Sequence, residues 1–496
     1  MLRILGSRRR LCQGLTRRDF LHAGGLFGLS LCALAGAAAR SAASPAGRSS
    51  SFGRAKACIL LCPYGSPAQH ETFDPKPDAP AGIRGELGAI STSIPGVQIC
   101  DRLPLVARIM DRVTVVRSMT HPFPVHGVAY ALTGIPNYDP SLERNPRDPR
   151  HWPFIGSCVD YVLEQASDGA PPEVPRNVQL PWLMNSQNGE LATAGPFAAF
   201  LGPAFDPVVA KFEGKATHAT KKSRPGEKVH EVWDPFCGMQ PDGRFRIDGT
   251  ALAEDMTLDR LNSRRSLLAQ FDDARARLAR QVESSSFDRY RDMSYTLITG
   301  SKLREALDIR REAMANRELY GMTLFGQGCL AARRLIEAGG KFVTVFWDEV
   351  GPYNTDWDTH WNHFPRLKER LLPGFDRAFS GLITDLDQRG LLDETVVMWM
   401  SEHGRSPKIN GSAGGGRDHW SRAYSIALAG GGIARGSIVG ASDKHGGDVL
   451  HTPVSPKDIL ATIYYLLGID PELTVPDRLG RPTRIAGEGH VRAELF

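Results

Sequence analysis

Residues 395–420, TVVMWMSEHGRSPKINGSAGGGRDHW, change character abruptly at Ser401. Thr395 to Met400 is an unbroken apolar, β-rich run, the pattern of a strand buried on both faces. Glu402, His403 and Gly404 then stand side by side, and a second acid–imidazole pair, Asp418-His419, follows a glycine-rich loop. In an open α/β sheet, ligands gather where buried strands end. Carboxylate oxygen with imidazole nitrogen is the donor mixture that a divalent metal takes. The stretch therefore predicts a central strand with the floor of a metal-type site at its end.

Working outward, similar runs recur. Ala57–Cys62, Arg112–Arg117, Val178–Met184, Lys341–Trp347 and Tyr424–Ala429 read as strands. Leu103–Met110, 128–134, Phe154–Gln165, Tyr320–Gly339, Phe364–Gln388 and Pro456–Leu467 read as helices. Strands alternating with helices predict an α/β fold, a mostly parallel sheet flanked by helices on both faces. Residues 211–250 are polar and irregular and are placed on the surface. Residues 251–338 are mostly helical in pattern and read as a helical insertion. No internal repeat is visible.

The first 43 residues read as a targeting segment. Thr16-Arg17-Arg18-Asp19-Phe20-Leu21 has the twin-arginine export pattern, and a glycine- and alanine-rich apolar run from Ala23 to Ala39 follows. That run is too short and too glycine-rich for a membrane span, and small residues near Ala43 offer a cleavage point. Residues 44–56 are a linker, and 57–496 form one α/β domain. Residues 1–43 hold seven arginines against Asp19, a net of +6, whereas the whole chain carries +5, so the remainder stands at −1. The basic character belongs to the targeting segment, and no nucleic-acid footprint remains. The expected location is periplasmic or extracellular, with no stable membrane span after cleavage. Six cysteines remain, at 58, 62, 100, 158, 237 and 329, with no CxxC spacing. They read as buried thiols with at most one disulfide, which argues against a redox protein.

Four loops that follow expected strands hold metal-type groups. The first carries His70, Glu71 and Asp74; the second, His121 and His126. The third carries Asp348, Asp356, Asp358, His360 and His363; the fourth, Glu402, His403, Asp418 and His419. A lone histidine in any of them reads as a hydrogen-bonded structural residue, but four such loops at one sheet edge read as a site. If residues 356–360 turn helically, Asp356 and His360 share a face. Arg405 and Arg417 lie near enough in sequence either to hold an anionic oxygen or to pair with the acids.

These segments carry a resemblance. Ser401-Glu402-His403-Gly404 after a buried strand resembles the Ser-Asp-His-Gly signature of the alkaline phosphatase/sulfatase superfamily. Ala131-Leu132-Thr133-Gly134-Ile135-Pro136 resembles a sulfatase Leu-Thr-Gly-x-x-Pro segment, and the stretch from Thr452 to Asp470 resembles that superfamily's last helix. More closely, Glu71–Pro77, Ala332–Gly339, Trp357–His360, Ser401–Pro407 and Gly416–Trp420 resemble the exported bacterial family called domain of unknown function 1501. The resemblance implies an alkaline-phosphatase-like fold and one or two divalent ions, whether zinc, calcium, magnesium or manganese. It implies metal ligands at Glu402, His403, Asp358, His360 and His419, with Asp356 or His363 as further candidates. The substrate implied is a small anionic ester or a sulfated or phosphorylated glycan.

The sequence departs from sulfatases where their nucleophile belongs. The position ten before Gly134 is Pro124, the arginine expected four later is Val128, and the first strand ends in Cys62-Pro63-Tyr64-Gly65 without an aspartate pair. A formylglycine mechanism is therefore not expected. Water, Thr120 or Ser66 are left as nucleophile candidates, with His126 and Arg405 as further catalytic candidates. The reading is a metal-dependent hydrolase of phosphate or sulfate esters; the alternative is a non-catalytic binding or scaffold protein on the same fold.

Overall fold

The computed structural model describes residues 51–496 except 125, 127, 136–138, 144, 168–170, 188–194, 249–258, 261–262, 264–265, 267–283, 349 and 352–355. The expected targeting segment, the first part of the linker and most of the start of the expected helical insertion lie outside the described residues.

Eight strands build the central sheet: β1 (Ala57–Pro63), β2 (Val113–Met119), β3 (Asn177–Leu180), β4 (Val208–Val209), β5 (Phe342–Trp347), β6 (Thr395–Trp399), β7 (Tyr424–Ala429) and β8 (Ser437–Val439). Their spatial order is β8, β2, β7, β6, β1, β5, β3, β4. Every neighbouring pair is parallel except the two made by β7, which runs antiparallel to β6 and to β2. The sheet is thus mostly parallel, as the alternation predicts.

Helices cover both faces, and the strands show why. Successive side chains of a strand point to opposite sides. In β1, Ile59 and Leu61 enter one core, and Cys58, Leu60 and Cys62 enter the other; in β6, Val397 and Trp399 oppose Val396 and Met398. Six helices matter below: α1 (Pro104–Arg108), α2 (Val128–Thr133), α3 (Ile155–Gln165), α4 (Leu324–Glu337), α5 (Leu372–Gln388) and α6 (Pro456–Leu466). Leu324, Phe325 and Leu335 of α4 and Phe375, Phe379 and Leu382 of α5 pack in the first core, while α3 and α6 pack in the second. Each such side chain removed from water contributes about 1.5–3 kcal/mol. Thr323 caps α4 by accepting from Gly326 N at 3.1 Å. Ser455 and Asp458 form a reciprocal capping box at α6, with Pro456 in the first turn.

Differences from the sequence reading have physical causes. The strand expected over Val178–Met184 stops at Leu180, because Pro181 has no amide to give a neighbour. The helix expected over Phe364–Gln388 begins as His363–Arg366, passes through a π-helical turn at Leu367–Leu371, and continues as α5. Pro373 in its first turn cannot donate to the preceding turn. Residues 211–250 are not all surface: Lys222, Asp234, Phe236, Met239 and Phe245 are buried. Two hairpins organise them, Lys211–Glu213 with Arg244–Arg246 and Ala219–Lys222 with His230–Trp233. Among the described residues, six thiols are free and all but Cys237 are buried. Among the described residues, no helix is long and apolar enough to cross a membrane.

Candidate metal centre

Parallel pairing brings the C-terminal ends of β1, β5 and β6 to one edge of the sheet. β2 is antiparallel to β7, which is antiparallel to β6, so β2 ends on that edge as well. The loops that leave these four strands meet there.

Asp358, in the loop after β5, is the hub. Its Oδ1 lies 3.1 Å from His360 Nε2 and 3.3 Å from His419 Nε2, and those two nitrogens are 3.0 Å apart. Its Oδ2 lies 3.2 Å from Nε2 of His126, which follows β2. Arg405 donates to Asp358 Oδ1 and to the carbonyls of Gly65, Ser66 and Arg417. Burial alone would raise the Asp358 carboxyl, but Arg405 and His126 outweigh it and hold the group well below its usual range. Gly65 makes room for the hub: a Cβ there would stand 2.4 Å from Asp358 N, and its φ of 99° suits glycine.

Three imidazoles are oriented alike. His360 Nδ1 is 3.0 Å from Asp418 Oδ1, His403 Nδ1 is 2.8 Å from Gly404 O, and His419 Nδ1 is 3.2 Å from Pro124 O. Carbonyls and carboxylates only accept, so each Nδ1 carries a proton, which leaves Nε2 as the atom that could offer a lone pair. Burial keeps His403 neutral, driving its pKa well below the usual value, and His419 and Arg405 add to this. Burial lowers His419 as well, against Asp358. His403 Nε2 is buried with no hydrogen-bond partner. One donor atom from each of His126, His403 and His419, and likewise from each of Asp358, His360 and His419, lies within 4.8 Å of the others in its set. The half-buried Nε2 atoms of His360 and His419 and the buried Nε2 of His403, beside a carboxylate, fit a cation.

Glu402 stands beside this cluster with both oxygens engaged. Oε1 accepts from Gly65 N at 2.9 Å and lies 3.1 Å from His126 Nδ1, while Oε2 accepts from the Ser401 hydroxyl. His126 is therefore clasped between Asp358 and Glu402. Burial opposes its charge, yet the two carboxylates push its pKa up to about 10. His121 holds the Glu402 backbone: Phe123 N donates to its Nδ1 at 3.2 Å, so Nε2 donates to Glu402 O at 2.7 Å.

The structure therefore brings together Glu402, His403, Asp358, His360 and His419, and adds His126. It does not bring Asp356 or His363 to them. Asp356 is buried against Arg370 (2.8 Å) and Lys222 (3.9 Å). His363 lies between Glu71 and Thr359, at 3.2 and 2.7 Å. The shared face proposed for Asp356 and His360 required a helical turn, and residues 356–362 do not form one. In the first loop, His70 bonds His445 O at 2.8 Å, and Asp74 pairs with Lys76 at 2.8 Å. Ser66 is fully buried and its hydroxyl accepts from His403 N at 3.2 Å. Thr120 is half-buried just past β2, its amide donating to Val454 O at 2.9 Å. The guanidinium of Arg405 is spent on the groups named above. The sequence reading places His126 among the metal-type groups of the second loop and among the catalytic candidates, but not in the ligand set; its signal is its place after β2.

No curated protein matches the chain. Among solved structures, it is 12% identical to a sulfatase from Pseudoalteromonas sp., over 85% of this chain and 69% of that chain, with a TM-score of 0.36. It is 9% identical to the lipoteichoic acid synthase LtaP from Listeria monocytogenes, over 85% and 74%, with a TM-score of 0.32. It is 10% identical to a phosphonate monoester hydrolase from Silicibacter pomeroyi, over 84% and 73%, with a TM-score of 0.31. Residues 55–496 match the family described as "Protein of unknown function (DUF1501)", which takes in every loop of the cluster, and the chain belongs to that family.

Proposed function

We propose that the chain is an exported, metal-dependent hydrolase of phosphate or sulfate esters that works without a formylglycine nucleophile. The supporting observation is the convergence of two imidazole Nε2 atoms, from His360 and His419, on one oxygen of the Asp358 carboxylate. Asp358 Oδ1, His360 Nε2 and His419 Nε2 form a triangle with sides of 3.1, 3.3 and 3.0 Å. Donors around a tetrahedral ion with bonds of about 2.0 Å stand about 3.3 Å apart. Two imidazoles and one carboxylate suit zinc or a similar borderline ion better than calcium or magnesium, which take oxygen sets. His403, with Glu402 and His126, flanks a second position beside the first.

When bound, such an ion polarises a phosphoryl or sulfuryl oxygen. The chain's own groups orient and bind. Arg405 pins Asp358, Gly65 N–H and the Ser401 hydroxyl fix Glu402, and His126 presents a cationic edge to an anionic ester. The substrate class is a small anionic ester, including sulfated or phosphorylated glycans. Residues 1–43 would direct export by the twin-arginine route to the periplasm or beyond; Arg17→Lys with Arg18→Lys should leave the chain in the cytoplasm on fractionation.

A binding or scaffold role is the second reading, favoured by one observation: the Ser66 hydroxyl is buried and already accepts from His403 N. Metal analysis of the mature protein, followed by a panel of aryl phosphates and sulfates, separates the readings. At least one divalent ion per chain, with turnover that disappears in Asp358→Ala, is the expected result. A loaded centre inert to the whole panel would leave the binding role, and a folded chain that takes up no ion would overturn the hydrolase.

A further inference from the structure

Beside the donor cluster lies a second set of buried polar groups, joined by hydrogen bonds and ion pairs of its own. Arg417 donates through Nε and Nη2 to Glu71 Oε1, at 3.2 and 2.5 Å. Glu71 Oε2 is 3.2 Å from His363 Nε2, and His363 Nδ1 is 2.7 Å from Thr359 Oγ1. The circuit closes through the backbone, where Arg417 N donates to Thr359 O at 3.1 Å. Glu71, His363 and Arg417 are 0% exposed and Thr359 is 1% exposed.

His363 Nε2 meets the Glu71 carboxylate as an electrostatic contact, and its Nδ1 shares a hydrogen bond with the Thr359 hydroxyl. Burial opposes the charge on Glu71, but Arg417 and His363 overcome it and draw its pKa down to about 2. The remaining Arg417 donors go to the carbonyls of Ser406, Pro407 and Ile83, at 3.0, 2.5 and 2.6 Å. The set is thus charge-paired and closed on itself.

Its place in the chain gives it a task. Thr359 lies between Asp358 and His360, and Arg417 lies two residues before His419. The loop that supplies two donors and the loop that supplies the third are joined at this seam, twice, by side chains and by backbone. Gly416 tightens the same seam, since a Cβ there would stand 1.9 Å from His360 O.

Resting on the metal reading above, we infer that Glu71 is a positioning residue, which acts through His363, Thr359 and Arg417 to fix the spacing of Asp358 and His360 against His419. Groups that orient metal ligands from behind are worth about 10–100-fold in metal affinity. Glu71→Gln keeps the size and removes the charge; Thr359→Val deletes only the hydroxyl. Arg333→Met serves as a stability control, because Arg333 is buried between Glu312 (2.9 Å) and Asp385 (3.0 Å) in the helical layer.

The test is titration of the metal-free mature protein with cobalt(II), reading both affinity and the visible absorption that reports ligand geometry. Glu71→Gln should bind about 10–100-fold more weakly with an altered band, and Thr359→Val should shift the same way by less. Arg333→Met should lose thermal stability and keep the wild-type affinity and band. Should Glu71→Gln fail to fold, Thr359→Val carries the test. Wild-type binding in both site variants, or an equal loss in Arg333→Met, would refute the positioning role alone. A wild-type chain that binds no cobalt would sink the metal reading and this role with it.

Discussion

Asp356 and Asp358 leave β5 on one loop, two residues apart, and end in opposite company. Asp356 shares a buried cluster with Asp234, Lys222 and Arg370. Lys222 stands 2.9 Å from Asp234, and Arg370 stands 2.8 Å from Asp356 and 3.5 Å from Asp234. Two cations answer two acids. Asp358 faces one permanent cation, Arg405, and three imidazoles. An imidazole gives up its proton near neutral pH and offers a lone pair; a guanidinium does not, and although burial opposes the Lys222 ammonium, Asp356 and Asp234 hold it charged. The type of base that surrounds an acid, more than the acid itself, separates a structural carboxylate from one open to a metal.

The sharpest way to break this contrast is to remove a permanent cation. Arg370→Met should cost about 3–5 kcal/mol of unfolding free energy in urea, the penalty for stranding a buried charge. Metal affinity should stay close to wild type. Next, Asp358→Asn should weaken metal binding by about 100-fold or more, beyond the range of an outer contact, while Asp356→Asn should not. Equal losses of affinity in the two variants would erase the distinction.

A smaller effect is read in pH. The folded pKa of Glu71 is depressed from 4.5 to about 2. Its contribution is therefore complete above pH 4.5 and is lost as pH falls toward 2. The stability gap between wild type and Glu71→Gln should narrow by about 2 kcal/mol between neutral pH and pH ~3. A gap that stays constant across that window would show that the charge on Glu71 is not what holds the seam.

Much of this was legible beforehand, for identifiable reasons. β1, β5 and β6 are continuous apolar runs that only a doubly covered sheet accommodates, so both their existence and their parallel pairing follow from pattern. The reversed direction of β7 leaves no local trace, because antiparallel and parallel strands of this length read alike. β4 and β8 are two and three residues long, too short for any periodicity. In the site, residues at strand ends were legible because the fold puts them there. Which of Asp356 and Asp358 would face the imidazoles was not, since it depends on Lys222 and Arg370, more than a hundred residues apart in sequence. His126 was named from sequence, but its pairing was not legible for the same reason: its partners, Asp358 and Glu402, are brought to it only by the completed sheet.

The hydrogen bond from Gly65 N to Glu402 Oε1 spans 337 positions of the chain. A contact of that range closes late, after most of the polypeptide has been made and has collapsed. Asp358, His360 and His419 come from one stretch of chain, whereas Glu402 and the Gly65 turn join them only at that moment. On the metal reading, the complete centre would exist only in the finished globule.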